Sequence, residues 1–349
     1  MNGFCRLGIL SVLALALMAC KAGWVQENTP TDQDLHAIFG VPDGDVYAVG
    51  AGGTVLRRKG GQWQALESDT EADLYGVWGT SDEHVVIVGE NCTALEFNGE
   101  PAEPPDGGEM PPDLRALAVS GCTPDGDKIR IIRNIDGIEG GHVAAVGDPR
   151  YEDDVPSNNF FLYEGDQIRS TGNLGDRLLG VSTPIAGEIV VSGTNGFLRH
   201  HRDGSWMEAR NLRLCPVALV DEACPLAEED QIQPILWDVW VGENGQGAVV
   251  GTFGGVWEYP PPEEGAWLPV DTGIDGDLRG VHGHVLEREE GGSEVFAVGG
   301  YGAIFRVQDG KAKRQVSGSN EDFHGVWVSP SGSDVYVVGA KGTIVHLIR

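Results

Sequence analysis

The chain has 349 residues, 52 of them glycine, and 53 acidic against 24 basic side chains give a formal net charge of −29. That length exceeds one ordinary hydrophobic core, so two domains or a repeat array are expected. The charge repels phosphate backbones and no basic stripe offsets it, which argues against nucleic acid as a partner.

Residues 1–19 read as a lipoprotein signal peptide and 20–349 as the mature chain. Arg6 supplies a short positive region, and the apolar run Leu7 to Leu17 is too short to span a bilayer. Leu17-Met18-Ala19-Cys20 resembles the bacterial lipobox, which makes Cys20 the expected lipidation site. Burial of several acyl chains, at about 0.8 kcal/mol per CH₂, holds a protein on a membrane where one chain does not. Lys21 follows the cysteine, so the expected location is the bacterial envelope, lipid-anchored, with the outer membrane as destination.

From residue 24 onward one pattern recurs. Asp73-Leu74-Tyr75-Gly76-Val77-Trp78-Gly79 has counterparts beginning at Asp34, Asp113, Arg177, Ile235, Asp277 and Asp322. Each is followed by a turn and a strand apolar on both faces, as expected where neighbours cover both sides. That strand closes at Gly50, Gly89, Gly147, Gly193, Gly251, Gly299 and Gly339, where glycine is expected to supply positive φ for a hairpin turn. A third strand follows, such as Thr343-Ile344-Val345-His346, and outer strands open near Trp63, Trp206 and Trp267.

Four strands per unit and seven units predict an all-β, seven-bladed β-propeller of four-stranded antiparallel blades. The seventh copy stops at Arg349 after three strands. Gly23-Trp24-Val25-Gln26-Glu27 resembles the outer strand Gln62-Trp63-Gln64-Ala65-Leu66. The N-terminal segment at about 23–28 is therefore expected to complete the last blade and close the ring.

Successive closing glycines lie 39 to 58 residues apart. The excess falls in insertions at Thr123 to Gly141, Asp148 to Asn159 and Asn211 to Pro234, and loops of that length carry function or disorder. The Pro-rich stretch Pro101 to Pro112 replaces a regular outer strand in the second blade. Apart from Cys5 and Cys20, four cysteines remain, and an oxidising compartment allows them three pairings. Cys215 and Cys224 flank a short stretch of one insertion, so a local bridge is expected there. Cys92 and Cys122 are the remainder, although their repeat positions point to different ends of neighbouring blades.

The repeats resemble the broad family of bacterial propellers that includes the photosystem II assembly-factor type and the sialidase-type BNR repeats. Tandem repeats of this form are also typical of lipoproteins from Gram-negative bacteria. The resemblance implies fold rather than activity. The sialidase Asp-box is met only in part, at Asp203-Gly204-Ser205-Trp206, and it is a turn-forming motif.

No phosphate loop, nucleophile elbow or zinc-finger spacing is present, so no cofactor, metal or catalytic set is expected. One position breaks the uniformity of the repeat. The residue after the first apolar position of each inner strand is His36, Tyr75, Arg115, Leu179, Trp237, Arg279 or His324. Inner strands face the central channel, so these side chains form a candidate binding ring for a protein or glycan partner. A non-enzymatic envelope scaffold is the leading expectation. The rivals are a hydrolase or lyase in which Arg115 and Arg279 hold an anion and His36 or His324 is the base, and a purely structural envelope component.

Overall fold

The computed structural model describes residues 23–99, 113–122, 130–152, 155–175, 177–207, 210–214, 231–259, 267–287 and 291–349. The expected lipidation site Cys20, the leader 1–19 and the expected Cys215–Cys224 bridge lie outside these residues.

Seven antiparallel blades are arranged in a ring. Blade 1 runs inner to outer as Leu35–Gly40, Val46–Gly50, Val55–Lys59 and Gln62–Leu66. Its second strand is buried throughout, as are those of the other six blades except for His84 at the start of blade 2's, because neighbouring blades cover both faces. The core is correspondingly divided. Each of the seven apolar clusters found among the described residues lies between two adjacent blades.

The ring closes as the unmatched ends predict. Gly23–Gln26 pairs antiparallel with the third strand of blade 7, Ile344–Ile348, and becomes that blade's outer strand. Trp24 packs edge-on against Phe296 of blade 6 at 6.0 Å. Glu27 then reaches blade 1.

Two sequence expectations fail for physical reasons. The closing glycines do not supply positive φ: Gly50, Gly193 and Gly339 have φ of −168°, −172° and −169°, which any residue adopts. What excludes a side chain is the carbonyl preceding each inner strand. A Cβ at Gly50 would stand 2.0 Å from Asp34 O, and one at Gly299 would stand 2.1 Å from Asp277 O. The left-handed residues come next, at Gly52 and Gly53 in blade 1.

The second correction concerns blade 3. Leu114–Ala116 is not its inner strand but the outer strand of blade 2, paired with Ala94–Phe97. The inner strand of blade 3 is Ile132–Gly137. The segment around Arg115 matches the Leu-x-Ala spacing, whereas the true strand carries Asn134 where the template has a small residue. The chain between them runs on as Ala118–Ser120, which adds in parallel to the outer strand Gln167–Gly172 of blade 3.

That strap also explains the cysteines. Cys92 and Cys122 form a disulfide with a Cα–Cα distance of 5.8 Å. Cys92 sits in the turn after the second strand of blade 2, and the strap carries Cys122 to it. The expectation of opposite ends came from assigning Leu114 to the wrong blade.

Candidate functional site

Every inner strand begins with a fully buried Leu, Ile or Phe. In all seven blades the register with the second strand shifts immediately after it. The following residue is thus the extra residue of a β-bulge, released from the ladder and re-aimed. These bulged residues are His36, Tyr75, Arg133, Leu179, Trp237, Arg279 and His324, and all of them line a central cavity of about 1100 Å³. The variability of the position has a simple cause: none of these side chains belongs to the apolar clusters between blades.

Six of the seven residues of the expected ring lie on this rim: His36, Tyr75, Leu179, Trp237, Arg279 and His324. Arg115 does not. It ion-pairs with the buried Glu96 at the outer edge of blade 2, and Arg133 occupies the place in blade 3. Sequence reasoning missed Arg133, although Ile132-Arg133 followed by Ile135 repeats the apolar spacing of the other inner strands.

The rim side chains are stacked. Arg133 lies over the Tyr75 ring at 5.7 Å, Tyr75 is parallel to His36 at 4.7 Å and 10°, and His36 meets His324 at 5.8 Å. Arg279 lies over Trp237 at 5.5 Å. His36 Nδ1 is 3.0 Å from Leu74 O, and His324 Nδ1 is 3.0 Å from Leu35 O. A carbonyl only accepts, so in both rings Nδ1 carries the proton and the side chain is pinned to the next blade. Burial lowers the pKa of His324, and the neighbouring His36 and Arg279 act in the same direction, so its ring is neutral at pH 7. Burial raises the Tyr75 pKa to about 12, with Glu90 and Asp73 adding to the effect.

The two rim arginines differ. Arg133 is neutralised by Asp148 at 2.8 Å, and Asp148 also takes Arg177 at 3.0 Å. Arg279 is exposed, and no ion pair to it is formed among the described residues.

Deeper in the channel a polar group interrupts the ring of small residues. Third positions are Ala37 in blade 1 and Gly76, Gly180, Gly280 and Gly325, where a Cβ would crowd the adjacent inner strand; at Gly180 it would stand 2.8 Å from Asp238 Cα. In blades 3 and 5 the residues are Asn134 and Asp238, and Asn134 Nδ2 donates to Asp238 Oδ1 at 3.1 Å across the gap left by Gly180. Asp238 also accepts from the amides of Val239 and Val281, at 2.9 and 3.0 Å. Asp136 accepts from Thr183 N at 2.7 Å and Thr183 Oγ1 at 3.1 Å. Burial pushes the Asp238 carboxyl up to about 7 and that of Asp136 up to about 6. Farther along, His282 accepts from Val328 N at 3.1 Å, and burial holds its pKa near 3.

This arrangement can bind but does not assemble a reaction centre of the expected kind. The catalytic reading needed Arg115 beside Arg279, and the two lie on different strands far apart in the ring. Among the described residues no group of three or more His, Cys, Asp or Glu side chains is placed to hold a metal.

No protein-family model matches the chain, and no curated protein matches it. Solved structures do. One described as YCF48 bound to D1 peptide is 18% identical, with a TM-score of 0.62, over 97% of this chain and 100% of that one. YCF48 from Cyanidioschyzon merolae is 15% identical, with a TM-score of 0.63, over 94% of this chain and 99% of that one. The WD40 propeller domain of Doa1 is 11% identical, with a TM-score of 0.63, over 94% and 98%. At these identities the likeness is one of fold, and that fold is the seven-bladed β-propeller.

Proposed function

We propose that the protein is a non-enzymatic propeller scaffold of a bacterial cell envelope, lipid-anchored at Cys20, which binds a protein partner across the rim of its channel. The observation that carries the binding role is the set of seven bulged side chains, most of them aromatic or charged, on one rigid mouth. Bulges that release a side chain from the ladder are typical of functional positions. A neighbour of the same fold is described as peptide-bound, which supports a peptide or protein ligand.

A protein partner fits the rim better than a glycan. Sugars stack on open aromatic faces, but Tyr75 is sandwiched between His36 and Arg133, and Trp237 has Arg279 over one face. The lipid anchor rests on the Leu17-Met18-Ala19-Cys20 motif. The first strand begins at Gly23, so such an anchor would hold blade 7 within a few residues of the membrane.

A photo-crosslinker placed at Tyr75 in living cells tests the partner. A defined protein should be recovered, and Trp237→Ala with Arg279→Glu should reduce its yield at least tenfold. A yield that does not change on those substitutions overturns the reading. Membrane fractionation of Cys20→Ser tests the anchor, and continued sedimentation with membrane would overturn that part alone.

A further inference from the structure

In blades 1, 4, 5, 6 and 7 the turn from the second to the third strand has one form: two successive left-handed residues, the second always glycine. The first is Gly52, Asn195 and Lys341 in blades 1, 4 and 7, but Phe253 in blade 5 and Tyr301 in blade 6, with φ of 59° and 55°. Glycine and asparagine tolerate this conformation, whereas a bulky residue there is an outlier, and Lys341 at φ 55° is one that pairs with Glu321 at 3.0 Å. Phe253 and Tyr301 are 54% and 80% exposed, and among the described residues neither side chain makes a hydrogen bond or ring contact.

Both turns reach Asp277, the residue before the inner strand of blade 6, although Tyr301 N itself donates to Asp322 Oδ1 at 2.8 Å. Phe253 N donates to Asp277 Oδ1 at 3.3 Å, and Gly300 N donates to Asp277 O at 3.1 Å. Two residues further on is Arg279, the exposed rim cation described above, lying over Trp237. The Trp237 Nε1–H is buried and makes no hydrogen bond among the described residues. Strained aromatics in the turns of blades 5 and 6 thus flank Asp277, two residues from the unpaired cation, which lies over the ring that carries the unsatisfied donor. Such costs persist where they serve a purpose outside the fold.

We propose that Phe253, Tyr301, Trp237 and Arg279 form the docking patch for an extended peptide segment of a partner protein, one that carries an acidic side chain beside an apolar one. This deepens the reading of the protein as a partner-binding scaffold and rests on it. Phe, Tyr, Trp and Arg are the residues enriched at the centres of protein interfaces. The exposed guanidinium is the complement of a carboxylate, to which it donates two parallel hydrogen bonds. The rings on either side offer apolar surface at little entropic cost, because each has only two side-chain torsions.

The test is selection of a displayed library of random twelve-residue peptides on the full chain, followed by affinity measurement. The expected result is enrichment of Asp or Glu next to Leu, Ile or an aromatic, with affinity falling at least tenfold on Arg279→Glu and on Phe253→Asn combined with Tyr301→Asn. The double variant should also raise Tm by about 1–4 °C, since it relieves strain without emptying a core. Peptides that bind these variants unchanged but are lost on Tyr75→Ala would overturn the patch and leave the rim as the binding surface. Failure to enrich any peptide would count against both. A fall in Tm for the double variant would overturn the strain argument on which the patch is built.

Discussion

Glu27 and Arg58 form a two-point ion pair across the seam of the ring, with Nε donating to Oε2 at 2.8 Å and Nη2 to Oε1 at 3.1 Å. Glu27 follows the N-terminal strand, and Arg58 belongs to blade 1. The same carboxylate accepts from Trp63 Nε1 at 2.7 Å and lies 3.3 Å from His346 of blade 7. One side chain therefore joins the N-terminal strand to both blades that it must bridge.

Burial alone would raise the Glu27 pKa, but the hydrogen bonds from His346, Arg58 and Trp63 and the charge of Arg58 outweigh it and lower the value to about 2. A carboxylate depressed in the folded state stabilises the fold above its unfolded value of 4.5, and that contribution is lost as pH falls toward 2. Urea unfolding of the wild type should weaken between these limits. Glu27→Gln should lose about 1–2 kcal/mol at pH 7, after discounting for partial exposure, and show a flatter acid limb.

Asp238 behaves in the opposite sense. Its carboxyl is raised from 3.8 to about 7 by burial, with Asp136 adding to the effect. A raised acid contributes most below its unfolded value, and the contribution fades as pH rises through the folded one. The stability curve should therefore decline between about pH 4 and pH 7. Asp238→Ala should remove most of that slope while lowering stability overall, because the Val281 amide and Asn134 lose their acceptor. A slope that is the same in both proteins would contradict the assignment.

The closing glycines make a prediction by contrast. Gly299→Ala places a Cβ against Asp277 O and should destabilise by more than about 3 kcal/mol. Gly276→Ala, where nothing lies within 4 Å, should change stability by no more than about 0.5 kcal/mol. Thermal unfolding of the pair distinguishes steric exclusion from a general intolerance of alanine.

The disulfide fixes the strap between blades 2 and 3. Peptide mapping without reduction should recover Cys92 joined to Cys122, and Cys122→Ser should cost about 2–4 kcal/mol. Recovery of either cysteine as a free thiol from oxidised protein would refute the pairing.

The number of blades, the seven closing glycines and the completion of blade 7 by Gly23–Gln26 were legible because each rests on a residue pattern that recurs. Trp24 could be matched to Trp63 before any contact was known. Blade 3 was not legible by the same means. Leu114-Arg115-Ala116 fits the repeat better than Ile132-Arg133-Asn134, and only pairing with Ala94–Phe97 shows which of the two is an outer strand. The exchange of Arg115 for Arg133 on the rim and the misjudged position of Cys122 both descend from that one ambiguity.

The glycine rule shows the same division at the scale of one atom. Sequence by itself determined that Gly50, Gly299 and their equivalents are fixed, since periodic recurrence is visible along the chain. Tertiary structure decided why: the obstructing carbonyl belongs to the residue before the inner strand, which sequence separates from the glycine. It likewise decided that a bulge turns His36, Tyr75 and Arg279 to the channel, and that Asn134 reaches Asp238 across blade 4. Strand periodicity is local and can be read in order, whereas contacts between blades depend on how the ring closes, and closure is a property of the whole chain.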